Sequence, residues 1–245
     1  MANGRVAAPL VIAHRGASGE APENTMRAFE LARSQGADMI ELDVRVTADG
    51  RLVVFHDETT ERFNGRPSAV AQLSAAELGD VRVGGEPVPH LAEACAWARD
   101  TGMRVNVELK VRGAEQALVD LLRSYDLVEQ VIVSSFVPAD LVALRAIAPE
   151  VQRGALMGIR SASPRVRLRE AWPGPWLRRL GATAWHPACQ LPLLRRIVPR
   201  VQRSGYRVYV WTVDDPDTMR QLLALRVDGI ITNYPARLRE IIRDE

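Results

Sequence analysis

The sequence predicts an α/β protein in which eight parallel strands close into a (β/α)8 barrel, with a small insertion after the second strand. Short runs rich in Val and Ile alternate with segments at helical spacing, and eight strand–helix units remain when one hairpin strand is set aside. The length of 245 residues suits a single barrel, which commonly takes about 250. No Gly-x-Gly-x-x-Gly pattern follows the first strand, which weakens the alternative of an open dinucleotide-binding sheet.

The domain organisation follows from where this alternation is interrupted. We expect one domain over residues 1–245, with residues 57–89 as the insertion. That stretch is polar, contains glycine and has only weak periodicity, which favours a long loop over a separate domain. The oligomeric state stays open at this point.

Composition excludes several classes of protein. The chain is 47% hydrophobic and 25% charged, which is ordinary for a globular protein, and its formal charge of +2 is too small to indicate a nucleic-acid partner. Two cysteines cannot form a disulfide framework. The apolar run at 10–13 is too short for a signal-peptide core, and no run is long enough to span a membrane. We therefore expect a cytoplasmic protein.

The first half of the chain predicts three barrel strands and a hairpin. The predicted strands are 10–13, 39–46, the hairpin strand 51–55 after Asp49-Gly50, and 103–109. The predicted helices run from 26 to about 36, from 91 to 99 and from 114 to 125. Asn24 or Thr25 caps the first helix, because both side chains accept backbone hydrogen bonds at such positions.

The second half alternates regularly. The predicted strands are 131–136, 153–157, 182–186, 207–213 and 228–233. The predicted helices are 138–147, 192–204, 216–225 and 235–243, together with 165–179 as one helix or two short ones broken by Pro173 and Pro175. Proline at the start of 138–147 suits a first helical turn.

The second strand carries two acids on one face. In Ile40-Glu41-Leu42-Asp43-Val44-Arg45, alternate side chains point to opposite faces, so Glu41 and Asp43 project together. Residues two apart in a strand are separated by roughly 6.6 Å. Two adjacent buried carboxylates repel each other, and one would stay protonated unless a divalent cation were bound. Oxygen ligands suit Mg, Ca or Mn better than Zn.

Further polar residues fall where the predicted strands end, which is the edge of a barrel where active sites lie. They are His14 and Arg15 after the first strand, His56 after the hairpin, and Glu108 and Lys110 at the third strand. In a metal-free alternative, the acids would form a structural salt-bridged layer with Lys110 and Arg45. Three inward acids would then face only two bases.

An ordered set of motifs resembles the glycerophosphodiester phosphodiesterase family. The motifs are His14-Arg15-Gly16, Pro22-Glu23-Asn24-Thr25, Ala28-Phe29, Glu41-x-Asp43-Val44, Asp49-Gly50, His56-Asp57, Glu108-Leu109-Lys110 and Trp211-Thr212-Val213. The resemblance extends from the first strand to Pro235 and implies a TIM barrel that hydrolyses glycerophosphodiesters to glycerol 3-phosphate and an alcohol.

The resemblance also implies roles for individual residues. Glu41, Asp43 and Glu108 would hold a divalent metal ion, and Mg or Ca is expected, with Mn as a further candidate. His14 and His56 would be the general acid and base. Arg15 and Lys110 match the phosphate contacts of the family.

The chemistry of the reaction independently fits these residue types. A phosphodiester needs its charge neutralised, a nucleophile activated and a leaving oxygen protonated, and two histidines with ordinary pKa values near 6.5 suit the proton transfers. One histidine would deprotonate the glycerol 2-hydroxyl or a water molecule, and the other would protonate the leaving oxygen. The order of the two, and whether a cyclic phosphate forms, stay open. Trp211 is a candidate wall of the substrate pocket.

Two side chains have ambiguous expectations. His186 could line the pocket, although a hydrogen-bonded structural histidine is favoured. Asn24 either lines the site or only caps its helix.

The sequence departs from the family pattern at Glu61-Arg62-Phe63-Asn64-Gly65, at Pro89-His90-Leu91 and at Thr232-Asn233. These departures leave the leaving-group specificity open.

Other functions compete with this one. A lysophospholipase D-like enzyme, or another phospholipid phosphodiesterase, would use the same scaffold, but the polar insertion does not favour a lipid substrate. A catalytically silent phosphodiester-binding barrel should lack a histidine or a metal-binding acid, and none is missing here. We therefore expect a small-molecule glycerophosphodiester as the partner.

Overall fold

The computed structural model describes residues 8–158 and 163–244. In that part of the chain the strands are β1 (Leu10–His14), β2 (Met39–Val46), β3 (Leu52–Val54), β4 (Arg82–Val83), β5 (Glu86–Pro87), β6 (Arg104–Leu109), β7 (Val131–Ser135), β8 (Gln152–Met157), β9 (Ala184–Pro187), β10 (Arg207–Val210) and β11 (Gly229–Thr232).

The helices follow the strands in the expected alternation. They are α1 (Met26–Ser34), α2 (Glu61–Asn64), α3 (Ala75–Leu78), α4 (Leu91–Thr101), α5 (Glu115–Ser124), α6 (Pro138–Ile147), α7 (Pro164–Ala171), α8 (Gly174–Leu180), α9 (Leu194–Arg203), α10 (Pro216–Ala224) and α11 (Pro235–Asp244), with a 3-10 turn at Val70–Gln72.

Eight parallel strands form the closed barrel. Their order is β1, β11, β10, β9, β8, β7, β6 and β2, and parallel pairing of β1 with β2 closes the ring. The hairpin strand β3 pairs antiparallel with β2 and stands outside the ring. The predicted (β/α)8 fold is confirmed.

The arginine-rich segment after β8 differs in detail from its prediction. It forms two helices, α7 and α8, but Pro175 lies in the first turn of α8 instead of breaking a helix. Proline is favoured there because the first turn does not use its missing N–H. The predicted strand at 207–213 is shorter, since regular pairing of β10 ends at Val210.

The segment 57–89 is more ordered than its sequence predicted. It contains α2, α3 and the two-stranded ribbon of β4 and β5. A small apolar cluster joins this segment to the hairpin strand and consists of Val53, Phe55, Val70, Leu78, Val81, Val83 and Val88. Elements of two to four residues are too short to show a period, which is why the sequence predicts a long loop here. Its status as an insertion in a single domain stays a prediction.

The two faces of β2 have different surroundings. Ile40, Leu42 and Val44 point outward and belong to the main core, which also contains Phe29 of α1 and buries all four side chains. Glu41 and Asp43 point the other way, as the alternation predicted. Below them lies an apolar floor inside the barrel, composed of Ile12, Met39, Ile132, Ala184, Tyr209 and Ile231.

The loop between β1 and α1 is tightly held. Thr25 caps α1, since its Oγ1 accepts a hydrogen bond from the backbone N–H of Ala28 at 3.2 Å. Gly16 has a φ of 80°, and a Cβ at this position would lie 2.7 Å from Ala28. Only glycine therefore allows the loop to approach α1 so closely.

His186 lies inside the barrel without a hydrogen bond to its ring. It is fully buried, and neither ring nitrogen has a partner among the described residues. Burial lowers its pKa to about 3, so the ring is neutral. It packs edge-on against Tyr209 with ring centroids 5.2 Å apart. The favoured expectation of a hydrogen-bonded histidine is wrong.

None of the helices in residues 8–158 and 163–244 has both the length and the apolar character needed to cross a bilayer. The cytoplasmic location stays a prediction.

Replacing Gly154 with Ala should destabilise the fold. A Cβ at Gly154 would lie 2.6 Å from the ring of His186 and 3.1 Å from Cβ of Ser134. Overpacking of this kind costs about 1–3 kcal/mol in the free energy of unfolding, measurable by guanidinium denaturation. Gly174→Ala is the matched control, because nothing lies within 4 Å of its added Cβ. Equal stability of the two variants would contradict this account of the barrel interior.

Candidate active site

Three carboxylates meet at the carboxyl ends of β2 and β6. Asp43 is paired in register with Glu108, and Glu41 lies two residues before Asp43 on the same face. One oxygen of each carboxylate lies within 4.8 Å of the others, and all three residues are buried. This acidic cluster, Glu41, Asp43 and Glu108, could hold a metal ion.

Two cations neutralise part of the acidic cluster. Arg15 Nε lies 3.1 Å from Asp43 Oδ2, and Lys110 Nζ lies 3.1 Å from Asp43 Oδ1 and also contacts Glu108 Oε1. In the metal-free alternative, Lys110 and Arg45 would form a structural salt-bridged layer with the acids. Arg45 does not take that position, because its Nε donates to the backbone oxygen of His56 at 2.8 Å.

Polar groups of the β1–α1 loop complete the surroundings of the cluster. The backbone N–H of Arg15 donates to Glu41 Oε2 at 2.9 Å. Asn24, whose φ is 56°, donates from Nδ2 to Asp43 Oδ2 at 2.8 Å. Asn24 therefore lines the site, and its neighbour Thr25 provides the helix cap.

The electrostatics of the cluster are unequal. Burial and the neighbouring carboxylates raise the pKa of Glu41, and burial and Asp43 raise the pKa of Glu108 to about 7. Burial also opposes ionisation of Asp43, but Lys110 and Arg15 outweigh it and hold its pKa at about 2. Two cations are thus too few for three buried carboxylates, and the cluster retains protons near neutral pH.

His14 ends β1 beside the acidic cluster. Its Nδ1 lies 2.7 Å from Oδ1 of Asn233, which follows β11 directly. Burial and the adjacent Arg15 lower the pKa of His14, and the contact with Asn233 opposes this shift. The neutral imidazole is therefore favoured at neutral pH.

His56 follows the hairpin strand β3. Its Nδ1 lies 2.7 Å from Asp57 Oδ1, and Asp57 Oδ2 accepts a hydrogen bond from Arg62 Nε at 2.6 Å. Burial lowers the pKa of His56, and the negative charge of Asp43 opposes the shift. The two histidines thus have different partners, since that of His14 is a neutral amide and that of His56 is a carboxylate.

The mouth of the barrel has a charged side and an apolar side. On the charged side, a cavity of about 570 Å³ is lined by residues that include His56, Asp57 and Lys110. On the apolar side, Trp211 contacts Phe136 edge-on with ring centroids 5.5 Å apart. Phe136 also lines a second cavity of about 300 Å³, with Leu156, Met157, Val166 and Trp176 among its other walls.

The structure brings the eight candidate site residues to the same end of the barrel. They are His14, Arg15, Glu41, Asp43, His56, Glu108, Lys110 and Trp211. Their roles stay predictions. In place of phosphate, Arg15 and Lys110 contact the acidic cluster here. The indole Nε1 of Trp211 donates to the backbone oxygen of His186 at 2.7 Å, which fixes the ring orientation.

Several supporting residues were not predicted as part of the site. Glu23 pairs with Arg15 at 3.0 Å and also with Arg62. Asn233 contacts His14, and Asp214 contacts Asn233. Asn233 carried a usable signal, because it ends a barrel strand at the edge where the other polar residues cluster.

Comparisons with known proteins agree with this geometry. Residues 14–237 match the model of the glycerophosphoryl diester phosphodiesterase family. The chain is 34% identical to a glycerophosphodiester phosphodiesterase of Caldanaerobacter subterraneus subsp. tengcongensis over 96% of this chain and 98% of the relative.

Solved structures give the same result. An Oleispira antarctica phosphodiesterase in complex with the product sn-glycerol-3-phosphate has a TM-score of 0.83 and 29% identity, covering 96% of this chain and 97% of that one. A glycerophosphodiester phosphodiesterase of Agrobacterium tumefaciens has a TM-score of 0.80 and 28% identity, covering 95% of this chain and 99% of that one. The resemblance seen in the motifs is confirmed, and the chain belongs to the glycerophosphoryl diester phosphodiesterase family.

Proposed function

We propose that this chain hydrolyses glycerophosphodiesters to glycerol 3-phosphate and an alcohol, using a divalent cation held by the acidic cluster and proton transfer by His14 and His56. The observation that carries the proposal is the meeting of three buried carboxylates within 4.8 Å of one another at the barrel mouth. The relative from Oleispira antarctica, whose structure holds sn-glycerol-3-phosphate, supports the choice of product.

The acidic cluster fits a hard divalent cation. Its donors are carboxylate oxygens, the ligands that Mg, Ca and Mn prefer. Asp43 Oδ1 is buried and accepts no hydrogen bond in the described residues, although Lys110 lies close to it. Charge also favours a cation, because the three carboxylates are in contact with two positive side chains, Arg15 and Lys110. A cation bound by Glu41, Asp43 and Glu108 would supply Lewis-acid neutralisation of the phosphate charge.

Arg15 and Lys110 are placed to bind the phosphate. Each is largely shielded, with side-chain exposures of 16% and 14%, so its charge acts in a weakly screened environment. Both contact Asp43 in this structure. When that carboxylate has a cation as its partner, the two side chains can turn their donors to the phosphate oxygens.

His14 and His56 divide the two proton transfers. The nucleophile, either the glycerol 2-hydroxyl or a water molecule, loses its proton to one histidine as its oxygen forms a bond to phosphorus. If it is the 2-hydroxyl, the product of this step is a cyclic phosphate, and a water molecule must then attack phosphorus and open the ring to give glycerol 3-phosphate. The bond from phosphorus to the leaving oxygen breaks, and the other histidine protonates that oxygen. The low-pKa neutral form of His14 suits acceptance of a proton at neutral pH.

A second candidate substrate class is the lysophospholipids. The cavity that begins at Phe136 lies at the ends of β7 and β8 and is lined mainly by apolar side chains, with Arg169 as the one charged residue among the described residues that line it. A cavity of this kind would accept an acyl chain. From the sequence, the polar insertion does not favour a lipid substrate. The apolar cavity at Phe136 lies in a different part of the barrel and supports the lysophospholipid class.

Purified protein should release glycerol 3-phosphate from glycerophosphocholine. EDTA should abolish the release, because it removes the cation that balances the charge of the carboxylates. Excess Mg, Ca or Mn should restore it. Asp120→Asn, on the exposed face of α5, is a control that should keep full activity.

The same assay distinguishes the candidate substrates. Faster choline release from lysophosphatidylcholine than from glycerophosphocholine would favour the lysophospholipid class. No release from any glycerophosphodiester in saturating Mg or Ca would contradict the proposed function.

His14→Ala and His56→Ala should each lower kcat by on the order of 10²–10⁴-fold, the usual contribution of a general acid or base. Binding of Mn²⁺, measured by calorimetry, should persist in both variants because neither removes a carboxylate. His90→Ala is the matched control, since His90 precedes α4 and makes no capping bond with its side chain. Full activity in both site variants would exclude the proposed proton transfers.

A further inference from the structure

The hydrogen-bond network behind His14 constrains where that ring carries its proton. Parallel pairing of β1 with β11 places Ala13 opposite Thr232, and the side chains of His14 and Asn233 follow at the same edge. His14 Nδ1 lies 2.7 Å from Asn233 Oδ1. The tautomer of His14 therefore depends on which end of the Asn233 amide faces it.

Asp214 fixes the orientation of that amide. Its Oδ2 lies 2.6 Å from Asn233 Nδ2, and its Oδ1 accepts from the backbone N–H of Asn233 at 2.9 Å and from Thr232 Oγ1 at 3.1 Å. A carboxylate accepts hydrogen bonds and donates none, so the amide NH₂ must face Asp214. A flipped amide would place its oxygen against the carboxylate. Asn233 Oδ1 consequently faces His14.

Ser18 is compatible with this orientation. Its Oγ lies 2.7 Å from both Asn233 Oδ1 and the backbone oxygen of His14. The hydroxyl has one proton for these two acceptors and could also accept from an amide N–H, so Asp214 is the residue that fixes the amide.

We infer that Asn233, oriented by Asp214, is a positioning residue that holds the His14 proton on Nδ1 and leaves the lone pair of the neutral ring on Nε2. The inference rests on the proposed catalytic role of His14. Since Asn233 Oδ1 can only accept, Nδ1 must donate, and a neutral imidazole then has Nε2 as its sole acceptor.

Nitrogen-15 NMR of the histidine rings tests the tautomer directly. The chain has four histidines, so single His→Ala variants assign every ring. At neutral pH, His14 in the whole protein should show a proton on Nδ1 and none on Nε2. Asn233→Ala should lose this preference. A proton on Nε2 of neutral His14 in the unmodified protein would overturn the inference.

Kinetics separate positioning from a structural role. Asn233→Ala should lower kcat for glycerophosphocholine by on the order of 10–10²-fold, part of what a base contributes, with KM changed less than about threefold. Asn233→Asp sets a second carboxylate against Asp214 and a negative charge beside His14, which favours the protonated ring. It should therefore also lower kcat at neutral pH and move the acidic limb of the kcat–pH profile to higher pH. Gln116→Ala, on the exposed face of α5, is the control. Full activity in Asn233→Ala while His14→Ala is inactive would overturn the inference and leave the proposed function intact.

Discussion

The mouth of this barrel is governed by repulsion among three buried carboxylates, which two contacting cations, Arg15 and Lys110, oppose in part. Burial weakens solvent screening, so each charge acts strongly on its neighbours. Arg15 and Lys110 both contact Asp43, which is ionised, whereas the pKa values of Glu41 and Glu108 are raised. The arrangement is costly as a purely structural layer. It becomes favourable when a divalent cation supplies the missing positive charge, which explains why the residues proposed to bind phosphate lie directly against those proposed to hold the metal.

The fold accommodates this concentration of charge by separating it from the hydrophobic core. Alternation along β2 directs Leu42 outward into the main core and Asp43 inward to the mouth. The closed ring has no exposed parallel edge, and the apolar floor lies beneath the charged layer. The β1–α1 loop is held close by Gly16, which allows Arg15 and Asn24 to reach the acids. Stability and chemistry therefore use opposite faces of the same strands.

The features predicted best from sequence are those with a local period. The pair Glu41 and Asp43 follows from the two-residue repeat of a strand, and the eight strand–helix units follow from their regular alternation. The short elements of 57–89 lacked any such period. The contact of His14 with Asn233 joins residues 219 positions apart, so it depends on closure of the barrel. For His186, the sequence predicts a hydrogen bond because buried polar groups usually have one. The structure gives the ring no partner among the described residues, and the groups that line a barrel interior cannot be identified from local sequence.

The central claim is that the acidic cluster binds a divalent cation. Diffraction from crystals soaked in Mn²⁺, recorded at the manganese absorption edge, tests it most directly. The account predicts one anomalous peak contacted by Glu41, Asp43 and Glu108, which disappears in Asp43→Asn crystals. Because Glu108 has a pKa of about 7, the peak should strengthen as pH rises through neutrality and the carboxyl loses its proton. Absence of a peak at the cluster at saturating Mn²⁺, in crystals of a protein that hydrolyses glycerophosphocholine, would contradict the account.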